Sequence, residues 1–422
     1  MSVSHAVPSC PLTTADLDEA PDPGTTGARK LIAMLGGIAD PRDPRGIRYQ
    51  IGTVLTVMVF AVLAGARSFR EIGDRAADLP QELLGLAGCP ARSLTGRYIA
   101  PSEATMRRIA HDIDANAADQ RVCAWMHTEA TAAAIAGSTG DAGDADGAVR
   151  ELVAVAMDGK VIRNTIAPGG PEGSEIKLFS ALLHEEAIVI AQRRIPADTN
   201  EITQVKALLA GTDLTGMVIT GDAAHAQDAT AAHLASERGG HYALTVKGNR
   251  AALLARIAAV LPPAAPGTEH HVEEDRSKGR IVRRGIWIAS ADGINFPGAV
   301  QVFRIRRDTF DHLGNRLTKE VVHGVTSLSA QQATAEQVAS LIRLHWGIEN
   351  RSHWVRDVVY REDDQHAYAG TGAHVMATLR NLALGLLRLA GVTQIKRTLE
   401  HIAADRTRIF PIMAAATSTN RL

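Results

Sequence analysis

The sequence has little of what defines several classes of protein. Its three cysteines (Cys10, Cys89 and Cys123) are far apart and form no Cys-x-x-Cys pair, so they provide neither a disulfide framework nor a metal knuckle. We therefore expect a reduced, cytoplasmic protein. No basic segment followed by an apolar core opens the sequence, and we expect no signal peptide. The uncharged stretch 51–66 is shorter than the roughly 20 residues of a membrane-spanning helix, so we predict a buried core helix there.

Net charge is also nearly absent, because 45 Lys and Arg stand against 46 Asp and Glu. A basic excess is the usual mark of a nucleic-acid-binding protein, so the total of −1 at first argues against that class. The charge is unevenly distributed, however. Residues 1–28 contain four acidic residues and no Lys or Arg, whereas residues 276–319 contain ten Lys and Arg and three acidic residues. The overall charge therefore does not exclude a nucleic acid as the substrate.

Composition divides the chain into segments. The first 28 residues are rich in Pro, Asp, Thr and Gly, which is typical of a disordered leader. Apolar residues then recur at helical spacing, and a Gly- and Asp-rich stretch after residue 136 indicates a linker. We predict a disordered leader at residues 1–28, an all-α domain at 29–130 and a linker at 131–150. An α/β domain at 151–400 and a C-terminal tail at 401–422 follow.

Short apolar runs of strand length dominate from residue 151. The predicted order β-β-β-α-β-α-β is typical of a mixed sheet flanked by helices. A basic, strand-rich stretch follows at 276–328. A long helix is expected to begin near Thr334, because Thr334 and Gln337 have the spacing of a capping box.

Two predicted strands end in aspartate, at Asp158 and Asp222. Taken singly, either aspartate has a simpler interpretation as the polar residue that ends a strand. Carboxylates at the ends of strands in an α/β sheet lie at the crevice where ligands bind, and Mg²⁺ needs only one or two protein carboxylates. Both aspartates together therefore favour a metal-binding crevice.

A third carboxylate is available from Glu349. On a helix His345, Glu349, His353 and Arg356 share one face. This polar face has two other interpretations, a solvated surface or a zinc-binding helix, although the His-Glu-x-x-His pattern of a zinc protease is absent.

Several motifs in this order are similar to those of one known family. They are Val155-Ala-Met-Asp158-Gly-Lys160, Asp198-Thr-Asn200-Glu201-Ile202, Gly221-Asp222-Ala-Ala-His225, Val246-Lys247-Gly-Asn249, His345-Trp-Gly-Ile-Glu349-Asn-Arg-Ser-His353-Trp354 and, nearer the amino terminus, Asp40-Pro-Arg42-Asp-Pro-Arg45 and Pro101-Ser-Glu103. Over about residues 30–390 the chain resembles the DDE insertion-sequence transposases of the ISAs-one family, which includes the H-repeat-associated proteins.

The resemblance implies an RNase H-like catalytic domain with an inserted β-rich subdomain at about 250–330, preceded by an all-α domain that binds DNA. The basic, strand-rich stretch 276–328 lies within this insertion. It also implies Asp158, Asp222 and Glu349 as the catalytic and metal-binding triad, with two Mg²⁺ or Mn²⁺ ions. The implied reaction is nicking at the ends of the element, followed by strand transfer of the released 3′-hydroxyl into target DNA. The implied partners are the terminal inverted repeats, target DNA and a second copy of the chain, in a bacterial cytoplasm and at the nucleoid when DNA is bound.

Basic and polar residues are the candidates for DNA contacts. We predict that residues close to the triad position phosphates, with a merely DNA-facing or structural polar residue as the alternative for each. Arginines of the insertion are predicted to bind the DNA backbone, with a solvated strand face as the alternative for Arg304 and Arg306. The residues are Lys160, Lys247, Asn249, Arg356, Arg283, Arg284, Arg304, Arg306 and Arg307. In the wider family a Tyr-x2-Arg-x3-Glu-x6-Lys signature surrounds the glutamate, and here Ile342, His345 and Arg356 replace its Tyr, Arg and Lys. Two other functions remain open: an inactive relative that binds DNA without transposing it, and a non-catalytic DNA-binding protein.

Overall fold

The computed structural model describes residues 26–138 and 152–416, except for residues 168, 172, 266 and 278. Most of the predicted leader and linker lies outside the described residues. The first part of the chain forms six helices, as predicted for an all-α region. Their bounds are α1 Thr26–Gly36, α2 Ile51–Leu63, α3 Phe69–Ala77, α4 Gln81–Leu86, α5 Glu103–Asp112 and α6 Ala115–Ser138.

The predicted core helix is confirmed, because all thirteen residues of α2 are buried. Polar caps start the surrounding helices: the Ser68 and Ser102 hydroxyls accept hydrogen bonds from backbone amides in the first turns of α3 and α5. Within the described part of the chain, no helix is both long and apolar enough to cross a membrane.

Nine strands form one mixed sheet. They are β1 Val153–Ile162, β2 Ile176–Leu183, β3 Val189–Ile195, β4 Met217–Gly221, β5 His241–Val246, β6 His271–Ser277, β7 Arg280–Ser290, β8 Gln301–Phe310 and β9 Arg316–Thr326. The order across the sheet is β3-β2-β1-β4-β5-β9-β8-β7-β6, in which β1, β4 and β5 are parallel neighbours. The strands of the predicted insertion are antiparallel to one another, and β9 pairs with β5. The insertion therefore extends the central sheet.

The second set of helices lies between and after the strands. Their bounds are α7 Glu201–Leu208, α8 Asp228–Ala231, α9 Ala251–Val260, α10 Ala335–His345, α11 Trp354–Val358, α12 Gly372–Leu389, α13 Ile395–Ala404 and α14 Ile409–Ala416. The predicted capping box of α10 is present in full, with reciprocal hydrogen bonds between Thr334 and Gln337. A π-helical turn, Glu349–His353, separates α10 from α11.

Three predicted boundaries differ from the structure. Helix α1 begins at Thr26, so it includes the last three residues of the predicted leader, and it buries Gly27 and Ala28. Helix α6 continues to Ser138, through the first eight residues of the predicted linker, because the alanine-rich sequence there favours helix. The polar tail predicted at 401–422 is wrong for its described part, since α14 buries Ile409, Phe410, Ile412 and Met413.

The all-α region and the sheet region share one hydrophobic core. Buried Asp119 on α6 joins them through hydrogen bonds. It accepts from Gln192 Nε2 on β3 at 2.8 Å and from Thr378 Oγ1 on α12 at 2.6 Å, and His374 Nε2 lies 2.5 Å from it. Since an unpaired buried carboxylate is costly, this network holds α6 against the sheet and α12.

A second buried cluster consists of one carboxylate between two guanidinium groups. Glu362 accepts from Arg356 Nη2 at 2.6 Å and from Arg380 Nη1 at 2.7 Å, and none of the three residues is more than 2% exposed. Burial by itself would raise the pKa of Glu362, but the two arginines outweigh it and lower the pKa to about 2. Arg380 also donates to the backbone oxygen of Arg67, which connects this cluster to the all-α region.

Removing the central charge of this cluster leaves two buried cations without a counter-ion. We expect Glu362→Gln to lower the free energy of unfolding at pH 7 by about 3–5 kcal/mol, measured by urea denaturation. Because the pKa is lowered from 4.5 to about 2, this contribution is present above pH 4.5 and is lost as the pH falls towards 2. Asp364→Asn, which breaks an exposed pair with Arg361, is the control and should cost less than about 1 kcal/mol. Equal stabilities of the two variants would contradict the role of Glu362.

Candidate active site

The parallel pairing of β1 and β4 brings two aspartates to one edge of the sheet. Ala156 is paired with Thr220, so Asp158 and Asp222, two residues further along, lie side by side. Asp222 follows the last residue of β4 and caps the next 3₁₀ turn by accepting a hydrogen bond from the amide of Ala224 at 2.9 Å. Asp222 follows β4 as predicted, but β1 continues to Ile162, so the prediction that a strand ends at Asp158 is wrong. Asp158 is partly exposed and Asp222 is exposed, so a ligand can reach both.

Glu349 approaches the same edge from the π-helical turn. Its Oε2 lies 3.1 Å from Nδ1 of His353, and the same nitrogen lies 3.5 Å from Oδ2 of Asp158. His353 is 3% exposed at its side chain, whereas the glutamate is 55% exposed. One candidate ligand atom from each of the three residues lies within 4.8 Å of the others. Such π-turns occur frequently at functional sites, and here the turn sets the direction of Glu349.

Electrostatic repulsion is concentrated at Asp158. Its pKa is raised to about 7, first by burial and then by the nearby carboxylates of Glu201, Glu349 and Asp222. The pKa of Glu349 is lowered, mainly by its hydrogen bond with His353. Burial lowers the pKa of His353, which favours the neutral imidazole that can act as a ligand. The three residues of the predicted triad thus lie close together, and Asp158 is the one whose pKa is raised.

A second group adjoins the first. Glu201, Asp222 and His225 also place one candidate ligand atom each within 4.8 Å of one another. Asn200 caps α7 and so sets Glu201 at the first position of that helix. The pKa of Glu201 is raised by burial and then by Asp222. Glu201 and His225 belong to motifs quoted above, but their sequence positions alone gave no reason to include them in the site.

The residues of this edge fit hard divalent cations. Four carboxylates and two imidazoles converge from β1, from the segments after β3 and β4, and from the turn before α11. Oxygen-rich sets of this kind bind Mg²⁺ and Mn²⁺, and a cation would relieve the repulsion that raises the pKa of Asp158. The alternative zinc helix is not supported, because Nδ1 of His345 lies 3.0 Å from the Thr220 hydroxyl and His345 belongs to neither group.

Two residues predicted to position phosphates are buried and paired. Nζ of Lys160 lies 2.5 Å from Oδ1 of Asp357, and its side chain is only 6% exposed. Arg356 is fully buried against Glu362. Both residues are therefore paired with a carboxylate and little exposed, which favours a structural role over a contact with DNA. The sequence spacing correctly indicated positive charge near the site but did not reveal these partners.

The other two phosphate candidates are exposed. Lys247 and Asn249 follow β5, at the same edge of the sheet as Asp222. Asn249 donates to the backbone oxygen of Ala223 at 2.7 Å, so it stabilises the turn after Asp222. Lys247 is therefore the better placed of the two for a phosphate.

The arginines of the insertion have different environments. Arg304 is 4% exposed and lies over the ring of Trp287, with 4.7 Å from its guanidinium carbon to the ring centroid, so the prediction that it binds the DNA backbone is wrong. The side chain of Arg304 is covered by packing, so the alternative of a solvated strand face is also wrong for this residue. Arg284 is partly exposed. The remaining three are paired with carboxylates: Arg283 with Glu269, Arg306 with Asp308 and Arg307 with Glu320.

Comparison with known proteins agrees with this geometry. A family model described as "Transposase DDE domain" matches residues 150–386, and one described as "DDE_Tnp_1-associated" matches residues 32–126. A solved structure of a piggyBac transposase synaptic complex with hairpin DNA aligns over 97% of this chain and 82% of that chain, at 10% identity. Its TM-score of 0.38 is too low to support any conclusion.

Curated relatives match over nearly their whole length. "Putative protein YbfL" of Escherichia coli K12 is 25% identical over 92% of this chain and 98% of the relative. "Putative transposase YncI" of Escherichia coli O157:H7 is 25% identical, with 92% and 95% covered. "H repeat-associated putative transposase YhhI" of Escherichia coli K12 is 24% identical, with 92% and 98% covered. The resemblance inferred from the motifs is confirmed, and the chain belongs to the transposase DDE domain family.

Proposed function

We propose that this chain is a DNA transposase that nicks DNA at the ends of its own element and joins the released 3′-hydroxyl to target DNA. The observation that carries the proposal is the convergence of Asp158, Asp222 and Glu349 from three separate segments of the chain. Such an arrangement of carboxylates suits phosphoryl transfer, where catalysis is largely positioning and charge stabilisation. Membership of the transposase DDE domain family supports the same reaction.

The proposed catalytic fold is RNase H-like. Strands β1 to β5 have the order β3-β2-β1-β4-β5, with an antiparallel β1-β2-β3 meander and parallel β1, β4 and β5. This topology puts the end of β4 next to the middle of β1, where Asp158 lies. The fold proposal rests on that topology and on the family.

Asp158, Asp222 and Glu349 are proposed to hold two Mg²⁺ ions, or Mn²⁺. Bound divalent cations supply Lewis-acid stabilisation of the attacking and leaving oxygens at phosphorus. The chain's own contribution is to orient the ligands. His353 holds Glu349 through a hydrogen bond, and Lys160 holds Asp357 and hence the first turn of α11.

DNA is proposed to approach the exposed end of β5 as well as the carboxylates. Lys247 is exposed there and can neutralise a phosphate. Both the terminal repeats and the target are proposed as double-stranded DNA. Since two ends must be brought together for transposition, a homodimer is the proposed active form.

The catalytic assignment predicts loss of cleavage without loss of DNA binding. We expect Asp158→Asn, Asp222→Asn and Glu349→Gln each to reduce Mg²⁺-dependent nicking and joining of DNA with the element's ends by at least about 100-fold. Asp292→Asn, an exposed position in the turn after β7, is the control and should retain activity. Equal products from wild type and Asp222→Asn would overturn the assignment. Binding without cleavage by the wild type would instead indicate an inactive DNA-binding relative.

Burial of Asp158 beside other carboxylates predicts that the site weakens the metal-free fold. The pKa of Asp158 is raised from 3.8 to about 7, so its contribution to stability is present below pH 3.8 and is lost as the pH rises through 7. In the presence of a chelator at pH 8, we expect Asp158→Asn to raise the free energy of unfolding by about 1–3 kcal/mol. The gain should shrink as the pH is lowered towards 4. A variant less stable than wild type at pH 8 would contradict this reasoning.

A phosphate contact at Lys247 predicts a change in salt dependence. We expect Lys247→Ala to weaken DNA binding and to reduce the slope of log K against log salt by about 0.9, the value for one lost phosphate contact. The matched control is Lys396→Ala, whose side chain on α13 is 74% exposed. Fluorescence anisotropy between about 50 and 200 mM salt measures both slopes. An unchanged slope for Lys247→Ala would exclude the contact.

A further inference from the structure

The triad does not account for all the ligand-type side chains at this edge. Oε1 of Glu201 lies 4.0 Å from Nε2 of His225, and both groups lie within reach of Asp222. The group is formed by α7 and by the turn after β4, whereas Glu349 and His353 come from the segment between α10 and α11. Two sets of ligands thus occupy neighbouring positions, and Asp158 experiences repulsion from carboxylates of both sets.

His225 provides an independent indication of a ligand. Its side chain is 1% exposed, and neither ring nitrogen has a hydrogen-bond partner among the described residues. The ring is held by stacking on Phe179, with 5.2 Å between centroids. A buried polar group without a partner costs about 1–3 kcal/mol, so an imidazole directed at two carboxylates needs a further partner. A cation bound by the same carboxylates is a partner that both kinds of side chain would share.

Gly159 shows that the backbone is adapted to the position of Glu201. A Cβ at residue 159 would lie 2.1 Å from Oε2 of Glu201, so the carboxylate occupies the space that any other side chain would fill. Because successive residues of a strand point to opposite faces, Glu201 lies across β1 from the side chain of Asp158. The Asp158-Gly159 pair therefore supplies a ligand on one face and room for a second carboxylate on the other.

We propose that Glu201, Asp222 and His225 form a second divalent-cation position, beside a first one formed by Asp158, Glu349 and His353. The inference deepens the proposed function and rests on it, since it assigns Glu201 and His225 to the metal site of the same reaction. Imidazole ligands favour Mn²⁺ over Mg²⁺, because Mg²⁺ is the harder cation, takes oxygen ligands and gives up its water reluctantly. The protein should therefore bind Mn²⁺ more tightly than Mg²⁺.

The test is calorimetric titration of the full chain with Mn²⁺ alone. Wild type is expected to bind two ions. Glu201→Gln should weaken one of them at least about tenfold and leave the other unchanged. Glu336→Gln is the matched control, because this glutamate also lies in the first turn of a helix but is 70% exposed and outside both groups.

A second variant tests the position of the carboxylate without removing it. Gly159→Ala keeps every ligand but displaces the flexible end of Glu201, and the strand tolerates alanine there. It should weaken the same ion as Glu201→Gln, with little change in thermal unfolding of the metal-free protein.

Two ions of wild-type affinity in both Glu201→Gln and Gly159→Ala would overturn the inference. If Asp158→Asn still lost an ion in that case, the proposed function would stand with the triad alone. If wild type bound no Mn²⁺, the inference and the metal-dependent part of the proposed function would both fail.

Discussion

The fully buried carboxylate of Glu362 is the interaction on which the arrangement of the helices depends. It neutralises Arg356 on α11 and Arg380 on α12, and Arg380 in turn donates to the backbone of Arg67. Two neighbouring helices and a segment of the all-α region that is distant in sequence are thereby held at one point. Because breaking a buried ion pair leaves an uncompensated charge, these segments cannot separate at low cost. The turn that carries Glu349 ends directly before α11, so the position of this glutamate depends on the same cluster.

At the opposite extreme, the carboxylates at the sheet edge repel one another. Burial raises the pKa of Asp158, and the carboxylates of Glu201, Glu349 and Asp222 raise it further, while Glu201 is affected in the same way by burial and by Asp222. Buried charge is compensated inside the protein at Glu362 but is left uncompensated at this edge. The contrast is what distinguishes a structural ion cluster from a site that attracts cations. Lys160 and Arg356 lie beside the site, but their charges are paired with the carboxylates of Asp357 and Glu362.

Sequence patterns predicted several elements because their causes are local. The apolar stretch of α2, the cap at Ser102 and the capping box at Thr334 depend only on residues a few positions apart. Boundaries predicted from average composition were less accurate. The C-terminal segment is polar on average although α14 has an apolar face, and α6 extends into a segment that was predicted to be a linker because of its glycines. The environments of the arginines could not be predicted, since their partners are separated from them or depend on strand register, as for Arg304 and Trp287.

By itself, the sequence determined the family, the three carboxylates of the proposed triad and the order of strands that carries two of them. These features are written in contiguous motifs, where residue type and spacing suffice. Only the tertiary structure decided that Glu201 and His225 lie at the same edge and that Lys160 is paired with Asp357. The physical reason is that burial and charge pairing are set by strand pairing and helix packing, which bring together residues more than a hundred positions apart.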